Sequence, residues 1–182
     1  GGRRLGGGMR GAAANRRPRA WYVNAARRTL LAAAPALARP DDDWARARLT
    51  AAEFALFGRM PAHERAHGLE VARRVLVLSP RASRELVAAA LLHDVGKLDT
   101  PQAALWRVLT HLLPPVTLPG EPRLRGLAGA RQARVHHAAY GASLLARAGV
   151  TPRVVDLVAG HHGPGADADP EAALLRECDE ST

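Results

Sequence analysis

Several things that most chains of this length use freely are scarce here. A single cysteine in 182 residues, Cys178, excludes an intramolecular disulfide and suits a reducing compartment. Aromatic residues make up only 4%, so the 47% hydrophobic content is carried mainly by Ala, Leu and Val. Ala and Leu favour helix, and no stretch shows the period-two alternation of a half-buried strand, which excludes hairpins and βαβ units. No apolar run approaches the ~20 residues of a membrane-spanning helix. The nearest imitation of an export signal is Arg27-Arg28, then TLLAAAPALA, then Arg39. Its apolar part is short and broken by Pro35, so a cytoplasmic location is expected. The chain opens on Gly-Gly with its first methionine at Met9, which leaves the natural start open. Acids are missing from residues 1–40, which hold nine Arg, whereas residues 41–182 hold 17 basic and 17 acidic side chains. The net charge of +9 therefore belongs to the N-terminal stretch and not to the folded part. Residues 1–19 (GGRRLGGGMRGAAANRRPR) read as a disordered Gly/Arg-rich tail, solvated and at most weakly attracted to anionic surfaces. No specific nucleic-acid binding is expected, and no membrane association.

What is present is helix punctuation. Thr50-Ala-Ala-Glu53 is a capping box. Thr100-Pro101, Thr151-Pro152 and Asp169-Pro170 each place a capping side chain before a proline at the first helical position. The signals predict helices at about 21–37, 42–58, 62–78, 81–94, 101–113, 123–134, 138–148, 152–162 and 170–180. There is no internal repeat. The expected architecture is all-α, a single domain over residues 20–182 built as a bundle of about eight or nine helices.

Polar side chains fall where leucines belong. Seven apolar residues, Leu86 to Leu92, run directly into His93 and Asp94. His67 sits one turn before the stripe Val71, Val75, Leu78. His137 begins the face that Gly141, Leu144, Leu145 and Ala148 continue. Val154, Leu157 and Val158 end at His161, and Val155 and Val158 at His162. On the last helix Ala172 and Leu175 are followed at the next inner position by Asp179. Taken singly, an inward histidine is usually a hydrogen-bonded core residue and an inward aspartate a cap or an arginine partner. His63, His111 and His136 are read in that way, and Trp21, Trp44 and Trp106 as core or helix contacts. Jointly, five helices present imidazole or carboxylate to one interior with no matching set of inward Arg or Lys. Buried carboxylates need a positive partner, and a divalent metal both supplies it and takes these donors. His93 and Asp94 are about 100° apart on an ideal helix, so sharing an ion requires the helix to loosen, which Gly96 permits.

The order His67, then His93-Asp94 in LLHDVGK, then a distant Asp179 resembles the HD-domain phosphohydrolases, over Phe54 to Asp179. FGRMPAHERAHGLEVARRVL resembles the helix carrying the first histidine of that family. HHAAYGASLLARAGV resembles the HD-GYP segment with a metal-binding histidine four residues before Gly-Ala, here His137 before Gly141-Ala142. VVDLVAGHH resembles that branch's paired histidines, His161 and His162, and LLRECDEST the closing helix with Asp179. The ligand pattern is HD-GYP-like, but only GPGADADP stands where the GYP segment belongs, which speaks against cyclic di-GMP cleavage. The insertion-like stretch LWRVLTHLLPPVTLPGEPRLRG has no assigned function.

The resemblance implies a metal-dependent phosphohydrolase cleaving a phosphate mono- or diester, plausibly a nucleotide, with metal-activated water. His67, His93, Asp94 and Asp179 would hold one ion, and His137, His161 and His162 would complete a second site, with Asp94 bridging. Mn, Fe, Co, Ni and Zn all suit neutral imidazole plus carboxylate, with Mn or Fe favoured. Lys97, the one lysine beside 25 arginines, belongs to the family motif and would act with Asp94 in catalysis as a point charge on a substrate phosphate. Its other reading is a cation at a helix end. Asp99 is read as a turn or capping residue and Cys178 as packing. Two alternatives are a di-iron oxygenase of the same fold and a non-catalytic HD signalling module. The expected partner is a small phosphate ester or nucleotide; the oligomeric state is not legible.

Overall fold

The computed structural model describes residues 38–99, 110, 117–163 and 166–182. The tail at 1–19 and the predicted helices at 21–37 and 101–113 lie outside them, Thr110 apart. Among the described residues the architecture is all-helical, with seven α-helices and no strand. They are α1 (Asp42–Arg46), α2 (Ala51–Arg59), α3 (Ala62–Leu78), α4 (Arg84–Leu92), α5 (Gly126–Arg147), α6 (Pro152–Gly160) and α7 (Pro170–Ser181). Short 3₁₀ turns at Val95–Asp99 and Ala166–Ala168 follow α4 and precede α7. No helix among the described residues is long and apolar enough to cross a membrane.

The caps explain where the helices begin. Thr50 Oγ1 accepts from the Glu53 amide and Glu53 Oε2 accepts from the Thr50 amide at 2.7 Å, the reciprocal capping box. Because Thr50 is extended, the single helix expected over 42–58 is two helices, α1 and α2. Asp169 Oδ1 accepts from the Glu171 amide at 3.0 Å and caps α7. Thr151 makes no side-chain cap bond, so α6 starts on Pro152 alone. Conversely, the helices expected at 123–134 and 138–148 are one continuous 22-residue helix, α5. No Gly or Pro interrupts Arg134 to Ala138, so nothing stops propagation there. Leu78, expected on the inner stripe of α3, is 48% exposed; Leu69 and Ala72 are buried in its place, and the inner face turns away before the helix ends.

The core is built around α4. All seven residues from Leu86 to Leu92 are buried, each large side chain contributing about 1.5–3 kcal/mol. Helices α2, α3, α6 and α7 pack around it. Ser83 caps α4 by accepting from the Leu86 amide at 3.0 Å and donates to Glu171 Oε1 at 2.6 Å, which ties α4 to α7. Gly68 allows α3 to lie directly on α4, since a Cβ there would fall 2.7 Å from the Leu91 carbonyl oxygen. The described part of the insertion-like stretch, 117–125, is strapped onto α5. Gln132, fully buried, donates to the Pro119 and Pro122 carbonyls at 2.7 and 2.9 Å and accepts from the Leu124 amide. His136 donates to the Leu118 carbonyl and the Tyr140 hydroxyl to the Gly120 carbonyl, both at 2.6 Å. His136 is thus a hydrogen-bonded structural residue, as expected.

Candidate metal centre

The oily helix ends where its chemistry starts. Helix α4 stops at Leu92, His93 takes the C-cap position, and the chain tightens into the 3₁₀ turn that carries Lys97. That change of geometry brings His93 Nε2 to 3.3 Å from Asp94 Oδ2. His161 occupies the equivalent position at the end of α6. The rings of His93 and His161 are set in the same way: Nδ1 lies 2.9 Å from the Ala90 carbonyl oxygen and 2.7 Å from that of Val158. His137 repeats the arrangement with the Arg134 carbonyl at 3.2 Å. A carbonyl only accepts, so each Nδ1 carries a proton, and in a neutral ring the Nε2 then keeps a lone pair for another partner.

All eight sequence-predicted site residues meet in one region. His67, His93 and Asp179 form one group and His137, His161 and His162 another, with one donor atom from each residue within 4.8 Å of the others in its group. His67 Nε2 is 2.9 Å from Asp179 Oδ1, and His93 Nε2 is 3.5 Å from the same oxygen. The groups adjoin, the His93 and His161 rings lying edge to face with centroids 5.5 Å apart. Asp94 stands between them: Oδ2 faces His93, and Oδ1 is 3.8 Å from His137 Nε2. His162 Nε2 lies 3.5 Å from Asp179 Oδ2 and its side chain is 38% exposed, which marks the open side of the cluster. Lys97 Nζ donates to Asp94 Oδ2 at 2.6 Å. Gly96 makes the approach of α5 possible, because a Cβ there would fall 1.9 Å from the His137 carbonyl oxygen and 2.5 Å from the Gly141 amide.

The electrostatics follow from burial and proximity. Burial opposes ionisation of Asp94, but Lys97 and His93 outweigh it and hold the carboxyl well below the usual range. Asp179 is held well down in the same way, by His93 and the hydrogen bond from His67, against its burial. Burial pulls His93 toward neutrality, and the Asp94 and Asp179 carboxylates overcome it and raise the imidazole well above its ordinary value. Burial lowers His137 to about 4 and His161 to about 3, with neighbouring positive charge reinforcing it, and also lowers His162. The second group is thus three neutral imidazoles, the form a metal requires. The Nε2 of His161 is buried without a hydrogen-bond partner among the described residues, and that of His93 faces only the Asp94 and Asp179 carboxylates. Their donor chemistry fits a divalent cation.

One residue of this region was not expected. Glu64, buried in the first turn of α3, lies with Oε2 3.3 Å from Lys97 Nζ and Oε1 3.5 Å from His63 Nε2. Its signal was its position three residues before His67, on the same helix face.

An all-helical bundle whose central helix ends in a buried His-Asp doublet, met by four further histidines and an aspartate from neighbouring helices, defines the HD superfamily of metal-dependent hydrolases. Within it the chain belongs to the Cas3 HD-domain family, whose model, described as Cas3, HD domain, matches residues 50–181. The likeness to the HD-GYP branch gains no support from that match. Neither the comparison with curated proteins nor that with solved structures returned a match.

Proposed function

We propose that this chain is a metal-dependent phosphohydrolase that cleaves a phosphate mono- or diester of a nucleotide or nucleic acid. The observation that carries this reading is the buried Nε2 of His161, without a hydrogen-bond partner among the described residues and set among two carboxylates and four more imidazoles. An unsatisfied buried ring nitrogen costs about 1–3 kcal/mol, and a cation beside His161 relieves that cost. His67, His93 and Asp179 would hold one ion, His137, His161 and His162 the other, and Asp94 would bridge, one oxygen toward each group. When bound, such ions polarise a phosphoryl oxygen and lower the pKa of a water to about 7.

The chain's own residues supply the rest. The carbonyls of Ala90, Arg134 and Val158 fix the tautomer and aim of three imidazoles. The half-exposed Lys97 ammonium stands beside Asp94 and offers a point charge to a substrate phosphate. His162, on the open side, borders the route by which substrate enters. Membership of the Cas3 HD-domain family supports a nucleic acid or nucleotide as substrate, a wider class than the small phosphate ester or nucleotide expected from the sequence.

The test pairs elemental analysis of protein purified without chelator with a cleavage screen in Mn²⁺ over single-stranded DNA and RNA, nucleotides, cyclic nucleotides and simple phosphate esters. Two ions per chain and phosphodiester or phosphate-release activity that disappears in Asp94→Ala are expected. An ion-free protein, or cleavage undiminished in Asp94→Ala, would refute the reading. Oxygen consumption in place of ester cleavage would assign the chain to the di-iron oxygenase class instead.

A further inference from the structure

Lys97 stands in an awkward place for a metal enzyme. Its ammonium donates to Asp94 Oδ2 at 2.6 Å, the oxygen that faces the His67, His93 and Asp179 group. A divalent ion entering that group meets an ammonium already on a carboxylate it needs. The ammonium has a second carboxylate in reach: Glu64 Oε2, at 3.3 Å, on a different element. Glu64 is 8% exposed at its side chain against 30% for Lys97, so its carboxylate is desolvated and its attraction for a cation is strong. It is also fixed, since it sits in the first turn of α3, one turn before His67. The lysine, with three donors on a flexible stem, is the mobile partner.

We propose that Glu64 is the positioning residue that draws the Lys97 ammonium off Asp94 as the ions enter, leaving Asp94 to them and the ammonium at the mouth of the site. The inference rests on the metal-dependent reading above. It makes Glu64 act on ion binding through Lys97, and not as a ligand. Replacing Glu64 leaves the ammonium on Asp94, where it competes with the ion. Removing the ammonium as well ends the competition.

Mn²⁺ binding to the full 182-residue chain, measured by calorimetry in the wild type, Glu64→Gln, Lys97→Met and the double variant, tests this. Glu64→Gln is expected to weaken Mn²⁺ binding about tenfold, and Lys97→Met to restore it in that background while changing the wild type less than about threefold. Wild-type Mn²⁺ affinity in Glu64→Gln overturns the inference. So does equal benefit from Lys97→Met in both backgrounds, which is what a purely structural Glu64 predicts. Should Glu64→Gln unfold, Glu64→Asp replaces it, with an intermediate loss and the same rescue. A wild type that takes up no Mn²⁺ sinks the proposed function and this inference together, whereas two bound ions without coupling sinks the inference alone.

Discussion

His93, His137 and His161 each give the Nδ1 proton to the carbonyl three residues back, so the side chain is held by its own helix and the other nitrogen is left for something else. His161 shows what this costs. It is completely buried, neutral, and its Nε2 has no partner among the described residues. His161→Leu loses one hydrogen bond of about 1 kcal/mol and removes an unsatisfied nitrogen of similar cost. The chelator-treated variant should therefore melt within roughly 2–4 °C of the wild type, while bound Mn²⁺ drops from two ions per chain to one. Calorimetric melting and elemental analysis read the two effects separately. At this scale the sequence was informative because a histidine in place of a leucine breaks an apolar stripe visibly. Glu64 escaped because a glutamate in the first turn of a helix is ordinary, being favourable toward the positive end of the dipole. Only its place three residues before His67, on the same face, marks it as inward.

The elements were legible where a cap or a breaker announces them and misread where packing decides. Ala62–Leu78 has the predicted limits, and the Thr50 capping box starts α2 as expected, yet its extended backbone also splits α1 from α2. The close approaches were not legible, since they depend on which backbone lies opposite. Gly96 is the sharpest case, with the His137 carbonyl where its Cβ would be. Gly96→Ala must push α5 outward, at about 3 kcal/mol, and carry His137 away from its group. Loss of one of the two Mn²⁺ ions is expected, whereas Gly58→Ala, with open space at its Cβ, should retain both. Equal ion content in the two variants would contradict this. The cap of α7 gives a pH prediction. Hydrogen bonds from Arg153, and from the Glu171 and Ala172 amides, hold the Asp169 carboxyl at about 2. A carboxyl whose folded value lies below its unfolded value of about 3.9 adds stability above that value and loses it as pH falls through the folded one. Asp169→Ala should cost about 1 kcal/mol at pH 7, chiefly the cap, because the ion pair with Arg153 is partly exposed and screened. The difference from the wild type should shrink between about pH 4 and pH 2 in denaturant titrations, and a constant difference would exclude the charge as its source.

On the scale of the whole molecule, the site is the place where α3, α4, α5, α6 and α7 meet. Each contributes at least one donor: α3, the end of α4 and α7 supply one group, and α5 with the end of α6 supplies the other. This convergence was inferable from the inward polar positions, and the partition into two groups with Asp94 between them from the family resemblance; the distances that set the groups side by side came only from the packing. It also means that ions bound here cross-link segments from residue 67 to residue 179, which are separate in the unfolded chain. Binding to the native state alone stabilises it by mass action, about 2.7 kcal/mol for a free concentration one hundred times Kd. For a chain of this size that raises Tm by roughly 5–10 °C. Stripping the ions with chelator should reverse the shift, and re-adding Mn²⁺ should restore it. In Asp94→Ala, where the shared carboxylate is gone, melting in Mn²⁺ and in chelator should nearly coincide. A wild-type chain whose Tm is the same with and without Mn²⁺ would mean that the five helices are held by their apolar core alone, with the imidazoles and carboxylates tolerated inside it for no ion.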